Sequence, residues 1–326
     1  MVQRREWQEP NIKEAFFEVE RIPLYYQSQR NGAFRAAKHY GILDKERDKL
    51  ISVVSKDYHL ISNERAYDAA ETIVEAVFTS KKLSDMKFYQ LFQPMTRSFM
   101  HLDLMAKEDD VGSVSSPLSR HDTWRAFLRI TNSYNSLNAL RYEVGFCRGI
   151  CLNGMIFSPR SVQLKFVHDS QLRLALSDLG PQLGTIRSLE LQMSQSLQRL
   201  HETRVPRDRM LPLFLQAFPL KVGLNADRLS EEQIRHLRAR RDQVSGLIDV
   251  YIDEMGENAY TMLNVLTDFA SYPETDGKAS HRSGGYQRQV GTWLEQFRHE
   301  VLERERPLEL FLDRAAIDGA AFLERL

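Results

Sequence analysis

The sequence predicts an α+β protein with N-terminal helices, a central antiparallel sheet and a helical C-terminal region. Three features lead to that class: a capped helical segment at Asn63, a switch to two-residue periodicity from residue 86, and a return to helical periodicity beyond residue 170. They divide the chain into residues 1–84, mainly helical with a short strand, 85–170, a sheet core, and 171–326, helical with a loop at 271–286.

Within the first segment, residues 11–84 read as mostly helical, with turns near Asn31-Gly32 and Tyr40-Gly41 and a short strand from Tyr58 to Ser62. Ala66, Ala70, Ile73, Val74 and Val77 recur at helical spacing behind Asn63, which is expected to cap them. In the second segment, Lys87 to Phe92, Arg97 to Met105, Trp124 to Asn132, Leu140 to Phe146 and Val162 to His168 alternate apolar and polar positions. The clearest is Leu140, Tyr142, Val144 and Phe146 against Arg141, Glu143 and Gly145, the pattern of a half-buried antiparallel strand. Residues 106–121 are acidic and then rich in Gly, Ser and Pro, as in an exposed loop. In the third segment, Ser230-Glu231-Glu232-Gln233 has the form of a capping box. It leads into an apolar stripe through Ile234, Leu237, Val244, Leu247, Ile248, Tyr251 and Ile252.

Composition narrows the function classes. Hydrophobic residues make up 42% and charged residues 27% of the 326 positions, ordinary globular usage. Apolar runs such as Leu211 to Phe218 fall far short of the roughly 20 residues a membrane span needs. The N-terminus lacks a secretory apolar segment, so a cytoplasmic protein is expected. Cys147 and Cys151 are expected to be reduced thiols, because their spacing suits no disulfide. The nine histidines are scattered singly, so neither a metal nor a cofactor is expected. Net charge is zero, yet residues 1–226 carry 31 Lys and Arg against 25 Asp and Glu. The remaining 100 carry 13 against 19. A basic face could therefore meet an acidic ligand, although no polybasic run appears.

Specialised groups concentrate in Asn132-Ser133-Tyr134-Asn135-Ser136 and in Arg148-Gly149-Ile150-Cys151-Leu152-Asn153-Gly154. Asn and Ser in the first stretch suit a turn between strands, and equally suit presentation of amides and hydroxyls to a phosphate or a base. Arg148 could grip a phosphate with two nitrogens. Cys151, with His168 as base and Asn153 to orient it, has the residue types of a nucleophilic site. A buried inert thiol fits the same residue types. Asn153-Gly154 also reads as a hairpin turn leading into Met155-Ile156-Phe157.

The run from Ile130 to Phe157 resembles the signature of a phage- and plasmid-borne family, the domain of unknown function nine-three-two. That family shows Asn-Ser-His-Asp-Gly followed by Arg-x-x-Cys-x-Asn-Gly or Arg-x-x-Cys-x-Asn-Thr. Asn132, Ser133, Arg148, Cys151, Asn153 and Gly154 match, whereas Tyr134, Asn135 and Ser136 replace the usual His, Asp and Gly. The resemblance implies a mobile-element setting and a cytoplasmic protein, and it assigns no activity.

A nucleic-acid-binding accessory protein of phage or plasmid replication, recombination or defence is the leading expectation, with DNA, single-stranded DNA included, as the favoured partner. Its candidate contacts are Arg97, Arg125, Arg129, Arg141 and Arg148, with Asn132, Ser133 and Tyr134, supported by Phe99, Phe127 and Tyr142 as stacking rings. The alternatives are an enzyme centred on Cys151 and a non-catalytic assembly or virion-associated protein, whose helical C-terminal region would bind a protein partner or a second copy.

Overall fold

The computed structural model describes residues 8–78, 81–107, 112–119, 122–149, 153–156, 186–273 and 282–326, together with the backbone of 163–166. The protein is α+β, with antiparallel sheets and helices in both its N-terminal and C-terminal parts.

Near the N-terminus the chain departs from the helical expectation. Strands β1 (Val19–Gln27), β2 (Phe34–Asp44) and β3 (Lys49–Val54) form a separate three-stranded antiparallel sheet in the order β1-β2-β3. Two irregularities in the pairing, between Pro23 and Tyr25 and between Ile42 and Leu43, break the two-residue period that would have announced these strands. The expected strand at Tyr58 to Ser62 is irregular chain. It leads into helices α1 (Asn63–Asp68) and α2 (Ala70–Val77). Ser62 caps α1 in place of Asn63, its hydroxyl accepting from the Arg65 N–H at 3.1 Å.

The alternating middle of the chain builds the main sheet from β4 (Met86–Phe92), β5 (Phe99–Ala106), β6 (Ser113–Ser115), β7 (Thr123–Ser133), β8 (Leu140–Arg148), β9 (Asn153–Ile156) and β10 (Gln163–Phe166). Its path is β10-β8-β7-β5-β4, with β6 added to β7 and β9 to β8, all antiparallel. Leu140, Tyr142, Val144 and Phe146 share one buried face, as the alternation requires. The opposite face is covered too, and Glu143 is only 1% exposed. At Gly145 a β-carbon would lie 2.3 Å from the Met155 carbonyl, so the close approach of β9 and Phe127 depends on glycine here.

Helices α3 (Ile186–Glu202), α4 (Arg207–Ala217), α5 (Glu231–Met255), α6 (Ala259–Ser271), α7 (Ser283–Phe297), α8 (Leu308–Phe311) and α9 (Arg314–Arg325) follow among the described residues. The expected capping box is present on α5: Ser230 Oγ accepts from the Gln233 N–H at 3.2 Å, and Gln233 Oε1 accepts from the Ser230 N–H at 2.8 Å. Helix α6 is buried along nearly its whole length and packs against α5, α7 and β9. It is the hub between the sheet and the helical region. Among the described residues no helix is long and apolar enough to cross a membrane.

Candidate nucleic-acid interface

Asn132, Ser133 and Tyr134 of the first motif and Arg148 and Asn153 of the second prove to be internal connectors. Arg148, at the end of β8, is 1% exposed. Its Nε and Nη2 donate to Asp122 Oδ2 at 2.8 and 2.6 Å, and its Nη1 donates to Asn264 Oδ1 of α6 at 3.1 Å. Glu254 of α5 lies 3.6 Å from the same guanidinium. Beside it, Trp124 Nε1 donates to the Tyr260 hydroxyl at 3.0 Å, and Ser116 hydrogen-bonds that hydroxyl at 3.0 Å. Asn153 pairs with Arg148 across β8 and β9, and its Nδ2 donates to the Tyr251 hydroxyl at 2.9 Å. Tyr251 in turn donates to Asp268 at 2.8 Å. Asn153-Gly154 therefore starts strand β9 and does not form the turn expected from that dipeptide. Cys151 and His168 lie outside the described residues, and Cys147 is buried.

Asn132, Ser133 and Tyr134 are each 0% exposed. Asn132 Nδ2 donates to the Ile61 carbonyl and to Asn63 Oδ1, both at 2.9 Å. Ser133 Oγ closes the following turn by donating to the Asn138 carbonyl at 2.7 Å. The Tyr134 hydroxyl accepts from the Asn63 N–H at 2.9 Å, satisfying an amide at the start of α1 that is buried away from water. Tyr134→Phe should therefore cost about 1–3 kcal/mol of stability, the usual result of orphaning a buried donor, measured as a shift of the urea midpoint at constant slope.

The other candidate arginines are also employed within the fold. Arg129 is 4% exposed and makes a bidentate pair with Asp103, both distances 2.6 Å, while its Nη1 donates to Gln287 of α7. Arg97, 8% exposed, joins Asp44 at 3.1 Å and Glu46 at 3.0 Å and stacks over Phe17. Arg125 donates to the Ala106 carbonyl at 2.7 Å. Arg141 is half-buried on β8, two residues from Glu143, which pairs with Arg288 of α7. A nucleic-acid chain has no access from solvent to Arg97, Arg129, Arg148, Asn132, Ser133 or Tyr134. Burial of these groups corrects the interface expected from residue types alone.

The cationic layer under α7 has its own consequence. Burial, reinforced by Arg129, Arg288 and Arg141, holds the His101 imidazole well below its usual pKa, and its Nδ1 hydrogen-bonds Thr131 Oγ1 at 2.8 Å. The unfolded chain then binds a proton that the folded chain refuses once pH drops below about 6.5. Stability should fall on acidification through that range, and His101→Gln should flatten the slope by up to about 1.4 kcal/mol per pH unit. Urea unfolding of both proteins between pH 7.5 and 5 measures the difference.

A surface with the missing properties occurs on the small sheet. β3 pairs with β2 only from Tyr40 to Asp44, so the outer halves of β1 and β2 pair with each other alone. They form a two-stranded ribbon closed by the turn at Ser28 to Ala33, where Gly32 has φ of 69°. Tyr25 pairs with Ala36, Tyr26 with Arg35 and Gln27 with Phe34, so Tyr25 and Phe34 share one face while Tyr26 and Arg35 share the other. The three rings are 63%, 54% and 75% exposed for Tyr25, Tyr26 and Phe34. Arg30, Arg35 and Lys38 are exposed beside them, and no carboxylate among the described residues pairs with any of these three cations. Along the chain, the 23 residues from Arg21 to Leu43 contain four Lys and Arg and no Asp or Glu. That acid-free run, interleaved with Tyr25, Tyr26, Phe34 and Tyr40, is the signal a sequence reading could have used. Chemically the ribbon offers cations for phosphates and ring faces for unpaired bases.

The ribbon is firmly seated. Arg97 holds Asp44 and Glu46 at its base, Ser52 donates to the Tyr134 carbonyl, and the Tyr58 hydroxyl donates to the Ser133 carbonyl at 2.6 Å. Phe17, Ile42, Val54, Tyr58 and Tyr134 pack together beneath it. Asn132 to Tyr134 thus serve the candidate interface as its foundation.

The protein is of the α+β class, with a helical layer stapled to a central antiparallel sheet and a basic aromatic ribbon attached at the N-terminal side. The chain belongs to the family described as Domain of unknown function (DUF932), whose model matches residues 50–290. β1 and β2 precede the matched segment, so the ribbon lies outside it. No curated protein and no solved structure matches the chain.

Proposed function

We propose that this protein binds nucleic acid, single-stranded DNA foremost, through the β1–β2 ribbon, as an accessory factor of a phage or plasmid. The observation that carries this reading is the ribbon itself: exposed Tyr25, Tyr26 and Phe34 alternate with unpaired Arg30, Arg35 and Lys38 on a stretch without carboxylates. Bases have two apolar faces and every nucleotide a negative charge, so an aromatic and cationic strip is complementary to an unpaired strand. The resemblance of the central motifs to a phage- and plasmid-borne family supports the mobile-element setting, and a cytoplasmic location accords with it.

Fluorescence anisotropy with labelled single-stranded DNA, duplex DNA and RNA across a salt series tests the proposal. Three to four phosphate contacts should give a slope of log affinity against log salt of about −2 to −3 for a single strand. Preference for the unpaired strand is expected, because stacking requires exposed bases. Tighter binding to duplex would instead indicate a ribbon lying in a groove. No binding to any of the three at low salt defeats the proposal.

A further inference from the structure

A concavity lies between the chain that follows β6, helix α3 and the segment Arg298–Glu303, where α7 continues as a π-helix. Its volume is about 730 Å³, within the range of small-molecule sites. π-helical turns widen a helix locally and recur at functional sites. Ser115 on one wall faces Gln192, Ser194 and Gln195 on α3, and no described residue hydrogen-bonds to any of these four side chains. Pro117, half-buried, supplies an apolar surface, above Leu302 of the core. The Arg298 charge is neutralised by Glu303 at 2.6 Å, and His299 approaches the same carboxylate at 3.2 Å. Arg199 lines the cleft with no carboxylate partner among the described residues, leaving one positive charge unbalanced.

From this lining we infer that the cleft binds a polyhydroxylated small molecule bearing one phosphate, of the size of a sugar phosphate or a mononucleotide. Hydroxyl and carboxamide groups both donate and accept, which suits sugar hydroxyls, and Pro117 can pack against a ring. Arg199 supplies a forked donor for the phosphate. The cleft also reports on its own occupancy. Ser116, in its wall, hydrogen-bonds the Tyr260 hydroxyl that accepts from the Trp124 indole N–H.

The test is isothermal titration of the full chain with glucose 6-phosphate and adenosine 5′-monophosphate, beside glucose and adenosine as uncharged controls. At least one phosphorylated compound should bind one to one, with its uncharged counterpart about ten-fold or more weaker. Arg199→Ala should weaken binding about ten-fold, and Ser194→Trp should abolish it by filling the cleft. Arg199 is exposed, so an unchanged melting temperature separates lost contact from lost fold. Binding should be accompanied by a change in Trp124 emission. Which of the two compounds binds distinguishes a sugar phosphate from a nucleotide. Failure of both to bind overturns the inference, as does binding that survives both substitutions. Binding abolished by Tyr26→Ala and untouched by Arg199→Ala would place the ligand on the ribbon, which also overturns it.

Discussion

Replacing Tyr25, Tyr26 and Phe34 together with alanine is expected to weaken binding of single-stranded DNA by about a hundred-fold or more. Each stacked base contributes about 1–3 kcal/mol by alanine substitution, so three rings exceed the roughly 3 kcal/mol that a hundred-fold represents. Fold stability should change little. All three rings are more than half exposed, and their strands are anchored at the other end by Arg97, Ser52 and Tyr58. Arg35→Ala combined with Lys38→Ala should act differently, lowering the salt dependence by about one to two units of slope while leaving stacking in place. Anisotropy across a salt series reads both effects, and a melting curve controls for folding. Wild-type affinity in the triple variant would remove the ribbon from the interface.

Arg148→Ala is expected to produce the largest loss of stability. The guanidinium is surrounded by Asp122, Asn264 and Glu254 in a site with 1% exposure, so its removal leaves the Asp122 carboxylate buried without its cation. Breaking one member of such a pair costs about 3–5 kcal/mol, mainly through the charge left behind. The variant also uncouples the end of β8 from α6, so an early loss of helix–sheet docking should accompany the lower melting temperature. Replacing both partners, Arg148→Met with Asp122→Leu, should recover much of the loss because neither charge then remains buried. DNA affinity of the folded fraction should be unchanged. Reduced affinity with an unchanged melting temperature would reverse the assignment of Arg148 as a connector.

These two expectations exchange the roles that residue types suggest. Arginine in a polar motif reads as a phosphate grip, yet the partners of Arg148 lie 26 and 116 positions away in the chain. Local sequence carries no trace of a contact at such separation. The same holds for Arg129, whose carboxylate partner sits on β5 and whose amide partner sits on α7. Covering the second face of the sheet with α7 turned the polar side of an ordinary alternating strand into a buried layer of paired charges. Nothing in Arg141, Glu143 and Gly145 by themselves distinguishes that outcome from a solvated face.

The features legible in the chain before folding are local. Period-two alternation placed β4, β5, β7 and β8, because a strand with one apolar face must write that face into every second residue. Ser230 and Gln233 announced the start of α5, because the capping box satisfies amides only three residues away. The central motifs also marked the family, which the match over residues 50–290 bears out. Which charges are paired and which stay exposed is settled only by folding. Exposure depends on the element that packs above a residue, and ion pairing depends on partners brought together by folding. For that reason Arg97, Arg129 and Arg148 became internal connectors, while Arg30, Arg35 and Lys38, on a ribbon that no described residue covers, stay exposed.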